Sequence, residues 1–318
     1  MLLLSIVVPC YNEKETIPLF YEELLKVLKK MDLSYEIIFV NDGSKDTTLD
    51  ECLKVYEKDK KHVKVIDFSR NFGKESGLLA GLEHATGDFI TVMDADLQDP
   101  PKLLFEMFEK INSSDVDIVG TRRVSRAGEP KIRSYFARMF YKLINKFSDV
   151  DIVDGARDYR LMRREVVDAI LKLKEYHRFS KGIFVWVGFK TEYLEYENVE
   201  RVAGETSWSF YGLLKYAIEG IVAFTVAPLR LATFSGFFIS FLSFVLMVFI
   251  FIRALIFGDP VSGWPSMMVM ILFLGGIQLL ALGIMGEYLS KTYMEVKKRP
   301  NYVIRKSYGC LEEKNEKK

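Results

Sequence analysis

Two uncharged runs near the end of this 318-residue chain restrict its architecture more than any other feature. "LATFSGFFISFLSFVLMVFIFI", residues 231–252, holds 22 residues without a charge, and "VSGWPSMMVMILFLGGIQLLALGIMG", residues 261–286, holds 26. A helix crossing a bilayer needs roughly 20 apolar residues, and buried core helices usually keep a polar stripe that both runs lack. Both are read as membrane spans. The short link "RALIFGDP" makes them a hairpin with both chain ends on one side. Lys215 and Arg230 precede the first span and Lys291, Lys297, Lys298 and Arg299 follow the second, whereas the link carries only Arg253 among basic residues. The positive-inside tendency then places the termini in the cytoplasm, at a cell membrane crossed twice. "MLLLSIVVPCYNE" lacks the positive n-region and cleavage site of a signal peptide and reads as a buried strand.

Ahead of the spans, short β-rich runs alternate with amphipathic stretches. "LLSIVVP", "EIIFV", "VKVIDF", "DFITVMD" and "VDIVGTR" are apolar nearly throughout, and helical patterns separate them, from Lys14 to Lys30, from about Asp46 to Asp59, and at "KESGLLAGLEHA" and "PKLLFEMFEKI". Continuous apolar strands joined by helices predict a parallel sheet covered on both faces. Ligands of such sheets gather beyond the carboxyl ends of the strands. The polar clusters "CYNE", "NDGSKD", "SRNFGKE", "DADLQD" and "TRR" all fall at such ends. No GxGxxG or GxxxxGK follows a strand, which argues against dinucleotide and P-loop folds. Gly73, Gly77 and Gly81, spaced by four, read as helix-packing positions. The net charge of +1 gives no reason to expect nucleic acid, and three scattered cysteines with three histidines argue against disulfides or zinc.

"MDADLQDPP" is the most telling cluster. Asp99 before Pro-Pro reads as a helix N-cap. That leaves Asp94, Asp96 and Gln98, whose alternation along an extended chain brings them to one face. Two carboxylates and an amide oxygen suit Mg²⁺ or Mn²⁺. The loops after the first two strands offer Asp42, Glu13, Asn12 and Tyr11, acceptors and an aromatic wall of the kind a base and ribose require. Beyond residue 125, "KIRSYFARMFYKLINKF" is a basic aromatic helix that either lies in the membrane interface or packs on the soluble domain. "SWSFYGLLKYAIEGIVAF", next to the first span, is read as interfacial.

Taken in order, "SIVVPCYNE", "VNDGSKDTT", "SRNFGKESGLLAG", "MDADLQDPP", "GTRR", "DYRLM", "KGIFVWVGF" and the two-span tail resemble the family 2 glycosyltransferases that charge polyprenyl phosphates. These are the bactoprenol glucosyltransferases and, more distantly, the dolichol-phosphate mannose synthases. The resemblance implies a GT-A fold, α/β with a Rossmann-like, mainly parallel sheet, ahead of the transmembrane hairpin. It also implies a UDP-sugar (or GDP-sugar) donor, a divalent cation, and inverting transfer to a polyprenyl (undecaprenyl) phosphate in the bilayer, with glucose the first expectation for the sugar. Carried over by residue, Pro9, Tyr11, Glu13 and Asp42 would surround uracil and ribose, and Asp94 and Asp96 would bracket metal and diphosphate with Gln98 as a further ligand. Arg70, Asn71 and Lys74 would shape the donor side, Arg122 and Arg133 would meet the acceptor phosphate, and Arg201 would neutralise the departing diphosphate. Asp158, in "ARDYRLM" where the family has "GDFRLM", would face the acceptor as a base, or else orient Arg160. Ser207 stands where the family usually has Lys.

The expected organisation is a catalytic domain over residues 1–208, an interfacial helix over 209–228, two spans over 229–290 and a charged cytoplasmic tail over 291–318, with self-association through the spans open. Two rivals stand beside this reading. A processive polysaccharide synthase is disfavoured because the only glutamines are Gln98 and Gln278, so no QxxRW exists. A nucleotide-sugar-binding membrane protein without turnover is separated only by a turnover assay.

Overall fold

The structure is a computed structural model that describes residues 2–124, 153–197, 225–257 and 263–310. Strands β1 (Leu3–Cys10), β2 (Ser34–Asn41), β3 (Val63–Phe68) and β4 (Phe89–Val92) are linked by helices α1 (Thr16–Leu28), α2 (Thr48–Lys58) and α3 (Lys74–His84). Then come α4 (Leu103–Ser113), β5 (Ile118–Arg123), β6 (Ala156–Arg163), α5 (Arg164–Lys172), α6 (Ser180–Trp186) and β7 (Thr191–Tyr196). Two long helices, α7 (Ala227–Phe257) and α8 (Trp264–Val296), precede a last strand, β8 (Ile304–Tyr308).

Among the described residues, eight strands form one sheet in the order β7-β5-β6-β4-β1-β2-β3-β8. The neighbours β3, β2, β1 and β4 run parallel, so their carboxyl ends share one edge. The mainly parallel, Rossmann-like sheet expected above is therefore present. One departure shapes the site: β5 does not extend the parallel set, because β6 inserts between β4 and β5 and runs antiparallel to both.

Alternate side chains of each strand feed two cores. Leu4, Ile6 and Val8 of β1 join Phe20 and Leu24 of α1 on one face, while Val7 joins Leu78 and Leu82 of α3 on the other. Burial on both faces explains why β1 reads as a continuous apolar run. The glycines of α3 divide. A Cβ on Gly81 would lie 2.1 Å from Val7 Cγ1, and one on Gly77 would lie 3.2 Å from Pro9 Cβ, so both serve close packing on β1. Gly73 does not: it precedes the helix at φ +98 with open space where a Cβ would stand, and it serves the turn.

Helices α7 and α8 have 31 and 33 residues, about 46 and 50 Å of helix against a hydrocarbon core of about 30 Å. Both contain stretches long and apolar enough to cross a membrane, and Phe234, Phe237 and Phe241 stand exposed along α7. They are antiparallel, since Tyr288 near the end of α8 donates its hydroxyl to the Thr225 carbonyl just before α7, at 2.7 Å. The chain then returns to the sheet, where β8 pairs antiparallel with β3. Both open ends of the hairpin therefore lie on the side of the sheet. The basic aromatic stretch at 131–147 and residues 209–224 of the proposed interfacial helix lie outside the described residues.

Candidate active site

The site is built at the shared carboxyl edge of β1, β2, β3 and β4. Gly43, at φ +59, lets the turn after β2 press against the loop after β3: a Cβ there would lie 2.3 Å from the Arg70 carbonyl carbon. Asp42 exploits this closeness. Its carboxylate accepts the backbone N–H groups of Phe72 at 2.6 Å and Gly73 at 2.9 Å, and Asn71 Nδ2 donates to its carbonyl at 3.2 Å. Burial pushes the Asp42 carboxyl above its usual value, against these two N–H groups and the charge of Arg70. Arg70 itself stacks on the Phe72 ring, 4.0 Å from its centroid.

The loop after β1 is tied to the same turn. Asn12, in the left-handed region at φ 55, receives the Lys45 N–H at 2.9 Å and donates its own to Ser44 Oγ at 3.0 Å. The Glu13 N–H bonds Thr48 Oγ1 at 2.7 Å, and its carboxylate accepts the Thr16 hydroxyl at 2.7 Å. Pro9 lies at the end of β1 against α3, and Tyr11 is exposed beside it.

Opposite these loops stands the main charged cluster. Lys74, first residue of α3, places its ammonium 2.8 Å from Asp94 at the end of β4 and 2.7 Å from Asp158 on β6. The inserted antiparallel strand is what delivers Asp158 to Asp94. Burial raises the Asp158 pKa, but Lys74, then Lys181 and Arg160, outweigh it and hold the carboxyl well below the usual range. Burial opposes the charge on Lys74, and Asp158 and Asp94 reverse this, so its pKa is driven up. Asp158 does not orient Arg160 through its carboxylate. Arg160 donates instead to the carbonyls of Asp158 at 3.3 Å and Arg157 at 2.8 Å, with its guanidinium 3.7 Å from the Phe184 ring centroid.

The DxD turn is organised by its neighbours. Asp96 is buried and accepts the Gln98 N–H at 3.1 Å, while Leu97 sits at φ 57. Asp99 is not the N-cap read from the sequence. Helix α4 starts at Leu103, after a turn in which the Pro100 carbonyl accepts the Leu103 N–H. The buried Asp99 carboxylate instead pairs with Arg157 Nε at 3.0 Å and accepts the Tyr196 hydroxyl. Arg157 also reaches Gln98 Oε1 at 3.5 Å. Among the described residues no three His, Cys, Asp or Glu side chains group as a metal site. Asp94, Asp96 and Gln98 are nonetheless an all-oxygen set on one tight turn, which fits a cation completed by phosphate and water oxygens.

Arg122, near the end of β5, donates to the Asp154 carbonyl at 3.1 Å and pairs with Glu195 at 3.3 Å. Arg133, Arg201 and Ser207 lie outside the described residues. Sequence reasoning missed Arg157, Lys181 and Glu75. The one sequence signal for Arg157 is its place in "ARDYRLM", which departs from the family pattern. Glu75, whose carboxyl is raised first by burial and next by Asp158, accepts the N–H and hydroxyl of Ser180 and fixes the start of α6.

The profile of Glycosyl transferase family 2 matches residues 5–171. The SfII prophage-derived bactoprenol glucosyl transferase of Shigella flexneri is 43% identical over 305 residues, 96% of this chain and 98% of that protein. The prophage bactoprenol glucosyl transferase homolog of Escherichia coli K12 is 42% identical over 303 residues, 95% and 98% of the two chains. Among solved structures, mannosyl-3-phosphoglycerate synthase from Rubrobacter xylanophilus aligns over 69% of this chain and 71% of its own, at 17% identity and a TM-score of 0.48.

Proposed function

The chain belongs to glycosyl transferase family 2 and is a glycosyltransferase; on that premise we propose that it moves glucose from UDP-glucose to a polyprenyl phosphate at a membrane. The observation that carries the reading is the meeting of Asp94 and Asp158 on Lys74, at the carboxyl edge of the sheet, in a chain alike over 96% of its length to a bactoprenol glucosyl transferase.

In this proposal the nucleotide lies over the loops after β1, β2 and β3, with Pro9, Tyr11, Glu13 and Asp42 around uracil and ribose. Asp94, Asp96 and Gln98 would hold Mg²⁺ or Mn²⁺, which when bound offsets diphosphate charge. Lys74 lends its ammonium to that side, and Arg201 does so for the departing UDP. An oxygen of the acceptor phosphate attacks the sugar C1 from the face opposite the leaving group, so configuration inverts. The acceptor, held by Arg122 and Arg133, is largely a dianion at pH 7 because its second pKa is near about 6. It needs no strong base, and Asp158, held ionised by Lys74, is poorly suited to be one. Its role is to position Lys74, and catalysis rests on placement and charge neutralisation.

The apolar hairpin explains how a soluble donor meets an insoluble acceptor. With α7 and α8 in the bilayer, the domain and both termini stay on the cytoplasmic side, and basic aromatic segments lie at the interface.

The test is transfer by the purified protein in detergent. Labelled UDP-glucose, UDP-galactose, UDP-N-acetylglucosamine and GDP-mannose are each paired with polyprenyl phosphate, in Mg²⁺, Mn²⁺ or EDTA. The expected product is one glucosylated lipid, formed with metal and lost in Asp96→Asn. Label from another donor would correct the sugar, and no labelled lipid from any donor would overturn the reaction.

A further inference from the structure

The segment after α8 reaches back to the loop that carries Lys74. The Val303 carbonyl accepts the Ser69 N–H at 3.0 Å, and Arg305 donates to the Ser69 carbonyl at 2.7 Å. Seven residues on from Ser69, the Ser76 hydroxyl lies 2.9 Å from the Asn301 carbonyl and 3.2 Å from the Phe72 carbonyl. Tyr302 stacks on Phe68 with ring centroids 4.9 Å apart, Phe68 meets Phe72 edge to face at 5.8 Å, and the Tyr302 hydroxyl donates to Glu83 on α3. The loop is thus gripped from two sides. Asp42 holds the N–H groups of Phe72 and Gly73 from within the sheet edge, and residues 301–305 hold Ser69 and Ser76 directly, and Phe72 through Phe68, from outside.

The same segment is anchored at its own root. Glu295, in the last turn of α8, accepts the Tyr176 N–H at 2.9 Å, and Asn301 Nδ2 donates to the Glu175 carbonyl at 3.1 Å. Residues 174–179 lead into α6, whose first residue is bound by Glu75 of α3. The end of the second apolar helix therefore contacts both segments that frame Lys74 and Asp158.

We propose that Asn301, Tyr302 and Val303 are positioning residues that clamp the Arg70–Lys74 loop over Asp42, so that the end of α8 governs donor binding. This rests on the reading of that loop as the donor side of the site. The Val303 and Arg305 bonds to the Ser69 backbone set the height of the loop, and the Tyr302–Phe68–Phe72 ring cluster sets its tilt. Lys74, the residue after Gly73, inherits both.

The experiment uses the full chain in detergent and compares Tyr302→Ala with the conservative Tyr302→Phe, which keeps the stack. Amide hydrogen exchange is followed for the peptide covering residues 69–76 and for peptides of β1, β2 and β4. Donor and acceptor KM are measured alongside. In Tyr302→Ala, residues 69–76 are expected to exchange about tenfold faster, the energy of one aromatic contact. The other strands should be unchanged, donor KM raised about tenfold and acceptor KM left within twofold. Tyr302→Phe should restore all three. Should Tyr302→Ala not fold, Ser76→Ala removes the hydroxyl from the opposite side of the contact and is judged by the same readouts. Unchanged exchange at 69–76, or equal acceleration in β1, β2 and β4, would overturn the clamp. Because exchange is read without turnover, a protein that transfers no sugar still decides whether the clamp holds, and faster exchange with an unchanged donor KM would overturn its control of donor binding.

Discussion

Gly43→Ala should damage catalysis far more than it damages the fold. The added Cβ would stand 2.3 Å from the Arg70 carbonyl carbon, 2.6 Å from the Asn71 nitrogen and 2.7 Å from the Arg70 oxygen. Carbon atoms in ordinary contact stay about 3.5 Å apart, so the loop after β3 must retreat by roughly 1 Å. The obstructing atoms are backbone and have no side-chain end to swing aside. That loop delivers Phe72 and Gly73 to Asp42 and continues into Lys74. A misplacement of about 1 Å at a site that works by positioning costs about 10²-fold in rate. Left-handed strain at φ +59 adds about 1–2 kcal/mol of instability, a fall in Tm of roughly 2–8 °C. Gly73→Ala is the comparison that separates strain from displacement. It too has a positive φ, +98, yet its Cβ would meet no atom within 4 Å. Sugar transfer at saturating acceptor, with thermal denaturation of both variants, makes the test. A loss of about 10²-fold in kcat/KM for Gly43→Ala, with less than tenfold for Gly73→Ala at a similar Tm, is expected. Equal activities in the two variants would refute the displacement reasoning.

Two further outcomes are expected. Lys64 pairs with Glu36 at 2.6 Å, with their side chains 18% and 8% exposed, so Lys64→Met should cost about 3 kcal/mol, or roughly 6–12 °C. Burial raises the Glu36 carboxyl, but Lys64, Ser5 and Thr86 together hold it below its usual value. The folded state then binds fewer protons than the unfolded state, and this stabilisation is complete above about pH 4.3 and lost as pH falls through the folded pKa. The Tm gap between wild type and Lys64→Met should therefore hold from pH 7 to about pH 4.3 and narrow as pH falls below that; a gap that stays constant through that fall would contradict the charge origin. For Asp158→Asn we expect kcat to fall about 10²-fold while the acidic limb of the rate profile keeps its midpoint near about pH 6, where the acceptor phosphate gains a proton. Disappearance of that limb in the variant would instead make Asp158 the titrating base.

The parallel core was legible because each of its strands is buried on both faces and flanked by helices with a clear apolar side. "VKVIDF" forms β3 from its first residue to its last. What was not legible depended on distant partners. Nothing local in "ARDYRLMR" says that it inserts antiparallel between β4 and β5, although that insertion brings Asp158 to a lysine 84 residues away. Asp99 followed by Pro-Pro has the local grammar of an N-cap, but a buried carboxylate within reach of Arg157 and Tyr196 is claimed by them instead. The spacing of Gly73, Gly77 and Gly81 was informative for the two that face β1 and misleading for the one outside the helix. Strand β8 was hidden by composition: "IRKSY" in a basic tail carries no alternation strong enough to announce a pairing.

The late position of β8 has a consequence for how the molecule is made. Strand β3 leaves the ribosome roughly 236 residues before its outer neighbour, an interval on the order of 10–50 s at ~5–20 residues per second. Throughout that time its backbone donors and acceptors on one side are open, a template for pairing with another nascent chain. Both apolar helices must emerge before the edge can close. Maturation of the catalytic sheet is thereby made to wait for the hairpin, and a chain truncated before residue 304 would keep an adhesive edge.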